Sequence, residues 1–132
     1  ERLPAAIDLM DRGTADVLVL PNGTSPVWAA ANELCGDDSL GYEVVCPTPE
    51  PITTRGEARA IGHLAIERQW TSLVAVTSTY HLARAELLLS RCFPGRIQAV
   101  AAERELTRSQ RWRLVRHELA AHAAHRTVLR RC

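Results

Sequence analysis

The stretch Leu73-Val74-Ala75-Val76-Thr77-Ser78-Thr79-Tyr80-His81-Leu82-Ala83-Arg84-Ala85 decides how the rest of the chain is read. Leu73 to Val76 is a continuous apolar run, the pattern of a strand covered on both faces. Two hydroxyl residues, Thr77 and Ser78, end it, and a helical segment over 79–92 is expected to follow at once. In a parallel α/β sheet such a junction lies at the carboxyl edge of the strands, where these folds bind ligands. With Ser78 as cap, the N–H groups of residues 79–81 and the positive end of the helix dipole would face that edge. His81 and Arg84 stand three residues apart and so share a helix face. Arg84 suits a bidentate clamp on an anion, and His81 is the histidine placed to give or take a proton there. The plainer alternative leaves Ser78 as a cap only, His81 bonded to a loop carbonyl and Arg84 paired with an acid such as Glu57.

Outward from this stretch the pattern alternates. Helices are expected over 2–12, 26–34, 54–69 and 107–130, and strands at Val17–Leu20, Tyr42–Cys46 and 96–101. Gly13 and Gly36 read as helix stops, and 47–53 (PTPEPIT) as a proline-rich loop. Thr54-x-x-Glu57 has the form of a capping box. Four strands between five helices predict a three-layer, mostly parallel, Rossmann-like α/β sandwich with right-handed crossovers.

That topology carries two more segments to the edge that holds Ser78. Thr54, Arg55 and Glu57 open the helix that follows the Tyr42–Cys46 strand, so a second helix N-terminus would converge on the same pocket. Glu57 is placed to orient His81, stabilise Arg84 or act as a base, against the plainer reading of a capping box alone. Asn22 and Gly23 follow the Val17–Leu20 strand, where a flexible turn lets backbone approach a ligand. One concave pocket lined by Asn22, Thr54, Ser78 and His81 is therefore expected.

Composition sets limits. The 132 residues suffice for one domain with a real core. Hydrophobic content of 46% and charged content of 23% are ordinary for a globular chain. A net charge of +1 argues neither for nor against a polyanionic partner; no nucleic acid is expected. No run approaches the ~20 apolar residues of a membrane span. The last helix is rich in Arg and His, with Leu114, Leu119 and Ala121 for packing and Glu118 diluting the charge; it reads as a solvated amphipathic helix. Cys35, Cys46, Cys92 and Cys132 form no C-x-x-C and read as small buried hydrophobes, with a Cys35–Cys46 or Cys35–Cys92 bridge as the alternative. No metal site is expected. There is no P-loop, no Gly-x-Gly-x-x-Gly and no Gly-x-Ser-x-Gly elbow.

The segment VTSTYHLARA, with its Thr-Ser-x-x-His-x-x-Arg-Ala pattern, resembles the hallmark segment of the YdcF-like family, a bacterial domain of unknown function. Val17 to Gly23 resembles that family's second strand and turn, although Pro21-Asn22-Gly23 stands where Ser-Gly-Gly is usual. The segment from Pro49 to Ala58 resembles its helix-opening loop, with Thr53-Thr54-Arg55-Gly56 in place of Ser-x-Asn-Thr. The resemblance spans residues 2 to 101. It implies that Arg2, matching a first-helix arginine, reaches the pocket, and it implies a link to the cell envelope. It also implies a strand before the first helix, whereas this chain starts at Glu1. The expectation is thus a single domain over 1–132 lacking its first strand, with an upstream apolar strand completing the pocket floor beside Ser78.

The function expected is binding of a small anionic ligand, phosphate-containing or nucleotide-like. His81, with Glu57, would be acid or base of a metal-independent enzyme, and Asn22, Gly23, Thr54, Arg55, Thr77, Ser78, Arg84 and Arg2 would bind the ligand. A non-catalytic module, for S-adenosylmethionine for example, or a protein-interaction domain is the alternative. A cytoplasmic location is expected.

Overall fold

The computed structural model describes residues 2–102, 107–127 and 132. In order, the elements are α1 (Arg2–Asp11), β1 (Val17–Val19), α2 (Ala29–Leu34), β2 (Glu43–Val45), α3 (Thr54–Glu67), β3 (Ser72–Ser78), a 3-10 turn (Thr79–His81), α4 (Leu82–Cys92), β4 (Arg96–Ala102) and α5 (Arg108–Thr127). The chain is α/β, and its strands pair in parallel. Val17 to Val19 lie opposite Glu43 to Val45, and Ser72 to Ser78 lie opposite Arg96 to Ala102. Parallel neighbours need a crossover. Between β1 and β2 it contains α2; between β3 and β4 it is α4.

The four strands form two separate two-stranded sheets. Among the described residues no strand joins β1 to β3, so each keeps one open edge, and α1 packs against both. A continuous sheet of the expected kind is therefore not formed by the described residues.

The core of the second sheet forms where α3 and α4 pack together. Ala58, Leu88 and Leu89 are buried there, with Ile61, Leu73, Ala75 and Ile97 packed around them. Small residues let the two helices close. A Cβ at Gly62 would press on the backbone carbonyl of Cys92, and one at Gly56 would overlap the Pro51 carbonyl oxygen. Leu88 is fully buried, a burial that stabilises by roughly 1.5–3 kcal/mol.

Several boundaries depart from expectation for local reasons. α2 starts at Ala29 because tight turns occupy the chain before it: Asn22 has φ +59°, and Trp28 N–H donates to the Ser25 carbonyl. The Thr54-x-x-Glu57 box is not the cap of α3. Thr53 is the N-cap, its Oγ1 accepting from Gly56 N–H at 3.2 Å. The cysteines are paired, not free: Cys35 with Cys46 and Cys92 with Cys132. Their Cα atoms stand 6.0 Å and 4.9 Å apart, inside the range a disulfide spans. The first bridge ties the end of α2 to the residue after β2, and the second ties the end of α4 to Cys132. Among the described residues no helix is long and apolar enough to cross a membrane.

Candidate functional site

Thr77 and Ser78 end β3 as buried residues, 6% and 5% exposed. Ser78 makes no side-chain cap bond. The chain passes through the 3-10 turn before α4 begins at Leu82, so His81 occupies the N-cap position of α4 and not its first turn. Ser78 is extended (φ −68°, ψ 146°) and leads into the turn, not directly into the α-helix. The expected cradle of N–H groups above a Ser-capped helix is thus replaced by a side-chain cluster.

That cluster brings His81 and Arg84 onto a residue from the other end of the chain. Glu118, on α5, is 9% exposed. Its Oε2 lies 3.1 Å from His81 Nδ1, and its Oε1 accepts from Arg84 Nη2 at 3.1 Å. Arg84 Nε stands 2.9 Å from Oε2, a Coulombic contact without hydrogen-bond alignment. Arg84 Nη2 also lies 3.0 Å from His81 Nδ1. The tautomer follows from the partners. A carboxylate only accepts and a guanidinium only donates. An unprotonated Nδ1 would turn its lone pair on Glu118, so Nδ1 carries the proton and donates to Oε2, leaving Nε2, which has no partner among the described residues, as an acceptor. Arg84 Nη2 then spends its bond on Oε1.

Burial and charge set the protonation. Burial lowers the His81 pKa below its ordinary 6.5, and the adjacent Arg84 charge lowers it further. Glu118 opposes both, and Arg2 adds a smaller lowering. Glu57 is raised above its ordinary 4.5, chiefly by burial, with Arg2 and Arg84 pulling the other way. Those couplings place the first turn of α3, the start of α1 and the start of α4 around one charged locus. The arrangement gives a neutral imidazole, a carboxylate that fixes its orientation, and a guanidinium held against that same carboxylate. A carboxylate holding the far nitrogen of a histidine leaves the near nitrogen as a base of defined direction.

The other expected site residues have contacts of their own. Arg2 is exposed and stacks on Trp28, 5.5 Å from the ring centroid, while its charge still reaches Glu57 and His81. Arg55 reaches toward the chain's last residue, Nη2 donating to the Cys132 carbonyl at 3.4 Å. Thr54 is half-buried, next to the Thr53 cap. Asn22 N–H donates to the Pro47 carbonyl at 2.7 Å, and a Cβ at Gly23 would meet Cys35 Sγ and Leu20 at 2.9 Å. The Asn22–Gly23 turn thus packs against the loop after β2 and its disulfide. Two surface hollows, of about 420 and 320 Å³, lie elsewhere: one along Ser109, Trp112, Arg113 and Arg116, the other around Gly36 to Tyr42. Among the described residues no three His, Cys, Asp or Glu side chains gather into a metal-binding group.

Glu118 is the residue sequence reasoning passed over. The signal was present in the last helix, where it is the only carboxylate between Arg108 and Thr127 and sits on one face with Leu114 and Ala121. Comparison with protein-family models, with curated proteins and with solved structures finds no match to this chain.

Proposed function

We propose that the β3–α4 junction is a binding site for a small anionic ligand, phosphate-containing or nucleotide-like, and that His81 acts there as an acid or base without a metal. One observation carries this reading: Arg84 holds a buried carboxylate with two nitrogens while His81 is oriented by the same group. A guanidinium that accepts one planar oxyanion in this way has the geometry to accept another. His81 is held neutral with Nε2 free, the state in which a histidine takes up a proton from a bound substrate. Glu57, its ionised form disfavoured by burial, is the second titrating group of the locus.

The reading extends to family and fold. The Thr-Ser-x-x-His-x-x-Arg-Ala pattern favours a YdcF-like bacterial domain with an envelope link. Two parallel strand pairs with open edges, both touching α1, favour a Rossmann-like sandwich in which one further strand joins β1 to β3. The paired cysteines bear on compartment: disulfides persist in oxidising surroundings, which favours a site of action outside the cytoplasm over the cytoplasmic one expected from composition.

A thermal-shift series with millimolar inorganic phosphate, nucleotides and S-adenosylmethionine tests the site. A ligand at about 100 times its Kd adds roughly 2.7 kcal/mol to stability. The shift should disappear in the double variant Arg84→Gln/Glu118→Gln, in which the buried pair is neutral and nothing is left to hold an anion. A shift that survives in the double variant places the ligand elsewhere. Turnover lost in His81→Ala with binding kept marks an enzyme; binding without turnover in any form marks a ligand-binding module.

A further inference from the structure

We propose that α5 is a tethered plug: Glu118 occupies the Arg84 fork that an anionic ligand would take, and the Cys92–Cys132 bridge keeps it there. The inference rests on the anion-site reading above and adds its regulation. Three observations meet in it.

The first is occupancy. Both Oε1 and Oε2 of Glu118 face Arg84, at 3.1 Å from Nη2 and 2.9 Å from Nε. A phosphate oxygen pair would use the same two nitrogens, so ligand and Glu118 compete for one guanidinium.

The second is how weakly α5 is otherwise held. Glu118 is the one residue of the helix that is buried among those whose side chains are described, and the large apolar side chains of Trp112 and Leu119 are 68% and 65% exposed. A helix that buries a charge, leaves its two bulkiest exposed apolar side chains in solvent and only half-buries Leu114 and Val115 gains little from packing. It belongs to the part of a molecule that opens at low cost.

The third is the tether. α5 packs on α4 and on the 3-10 turn. Beyond it, Cys132 is bonded to Cys92 at the end of α4, and its carbonyl accepts from Arg55 on α3. Both anchors hold Cys132 to the two helices that flank the site. Joining Cys132 to Cys92 keeps the local concentration of Glu118 at the fork high, as any short linker does for an intramolecular contact. A dithiol reductant removes this advantage. Its two thiols pass two electrons and two protons to the bridge, Cys92 and Cys132 become free thiols, and the reductant closes to its own disulfide.

Inorganic phosphate binding by the full chain, followed by titration calorimetry, tests the plug, with trypsin sensitivity of the Arg-rich α5 as a second readout. Glu118→Gln should bind phosphate at least tenfold more tightly than wild type. Cys132→Ser, in which Cys35–Cys46 is left intact, should bind several-fold more tightly and be cut faster in α5, and wild type treated with dithiothreitol should behave like it. Arg84→Gln/Glu118→Gln should not bind. If phosphate affinity is equal in wild type, Glu118→Gln and Cys132→Ser but lost in the double variant, the site stands and the plug is overturned. If Cys132→Ser is cut faster in α5 yet no form binds phosphate, the anion-site reading fails and takes the plug with it. If Glu118→Gln tightens binding while Cys132→Ser changes neither affinity nor cleavage, the tether is refuted.

Discussion

His81 and Glu57 titrate in opposite senses, and each leaves its own mark on stability. The folded state lowers the His81 pKa below 6.5, so the unfolded chain takes up that proton first. His81 therefore contributes stability above pH 6.5 that is lost as pH falls through its depressed value. Glu57 is raised above 4.5, so the folded state keeps its proton longer. Its contribution is present below pH 4.5 and is lost as pH rises through the raised value. Urea unfolding at intervals from pH 8 to pH 4 separates the two. Wild type should lose stability relative to His81→Gln on acidification; removing the bond to Glu118 adds a constant offset, so the slope is the readout. Glu57→Gln should be more stable than wild type at pH 7.5, with the gain fading toward pH 4. Parallel slopes for wild type and His81→Gln would mean that His81 is not buried against Arg84.

At the scale of elements, the ends of the helices carry the information that periodicity does not. Thr53 and Thr54 are adjacent and chemically alike, yet it is Thr53 whose Oγ1 accepts from an N–H of the first turn of α3. Thr53→Ala should cost about 0.5–2 kcal/mol, and Thr54→Ala far less, as measured by denaturant midpoint. Equal losses would return the cap to Thr54. The same comparison explains what could be read in advance. The apolar run at Leu73 to Val76 and the helix-strand alternation led to β3, α4 and the parallel pairing, because a continuous apolar run between helical segments is a local trace in sequence. The 3-10 turn left none, since Thr79-Tyr80-His81 is as acceptable at the start of an α-helix. Glu118 was missed because its partners are 34 and 37 residues away, and a long-range contact to a lone acid has no local pattern. Asn22 and Arg55 were gathered into the site on the assumption of one open edge, whereas Asn22 N–H bonds the Pro47 carbonyl and Arg55 the Cys132 carbonyl, contacts with no local sequence pattern.

For the whole molecule the division into two strand pairs is the governing feature. No ladder bond crosses from β1 to β3 among the described residues. Each disulfide also stays on one side of that division: Cys35–Cys46 closes the β1–β2 unit, and Cys92–Cys132 closes the unit built on α4. Two patches of backbone with no shared ladder open independently. Native-state amide exchange should accordingly resolve two classes of slow protons. Val44 and Val45 would exchange with a common, lower protection, and Val74 to Val76, on the strand whose Leu73 and Ala75 pack on the Leu88 core, with a higher one. A single class spanning both units would show that α1 welds them into one cooperative block. Two classes would have a practical meaning. A ligand held at Arg84 would slow exchange in the second unit and leave the first nearly untouched, so that exchange mapping alone would report which half of the chain a bound molecule has chosen.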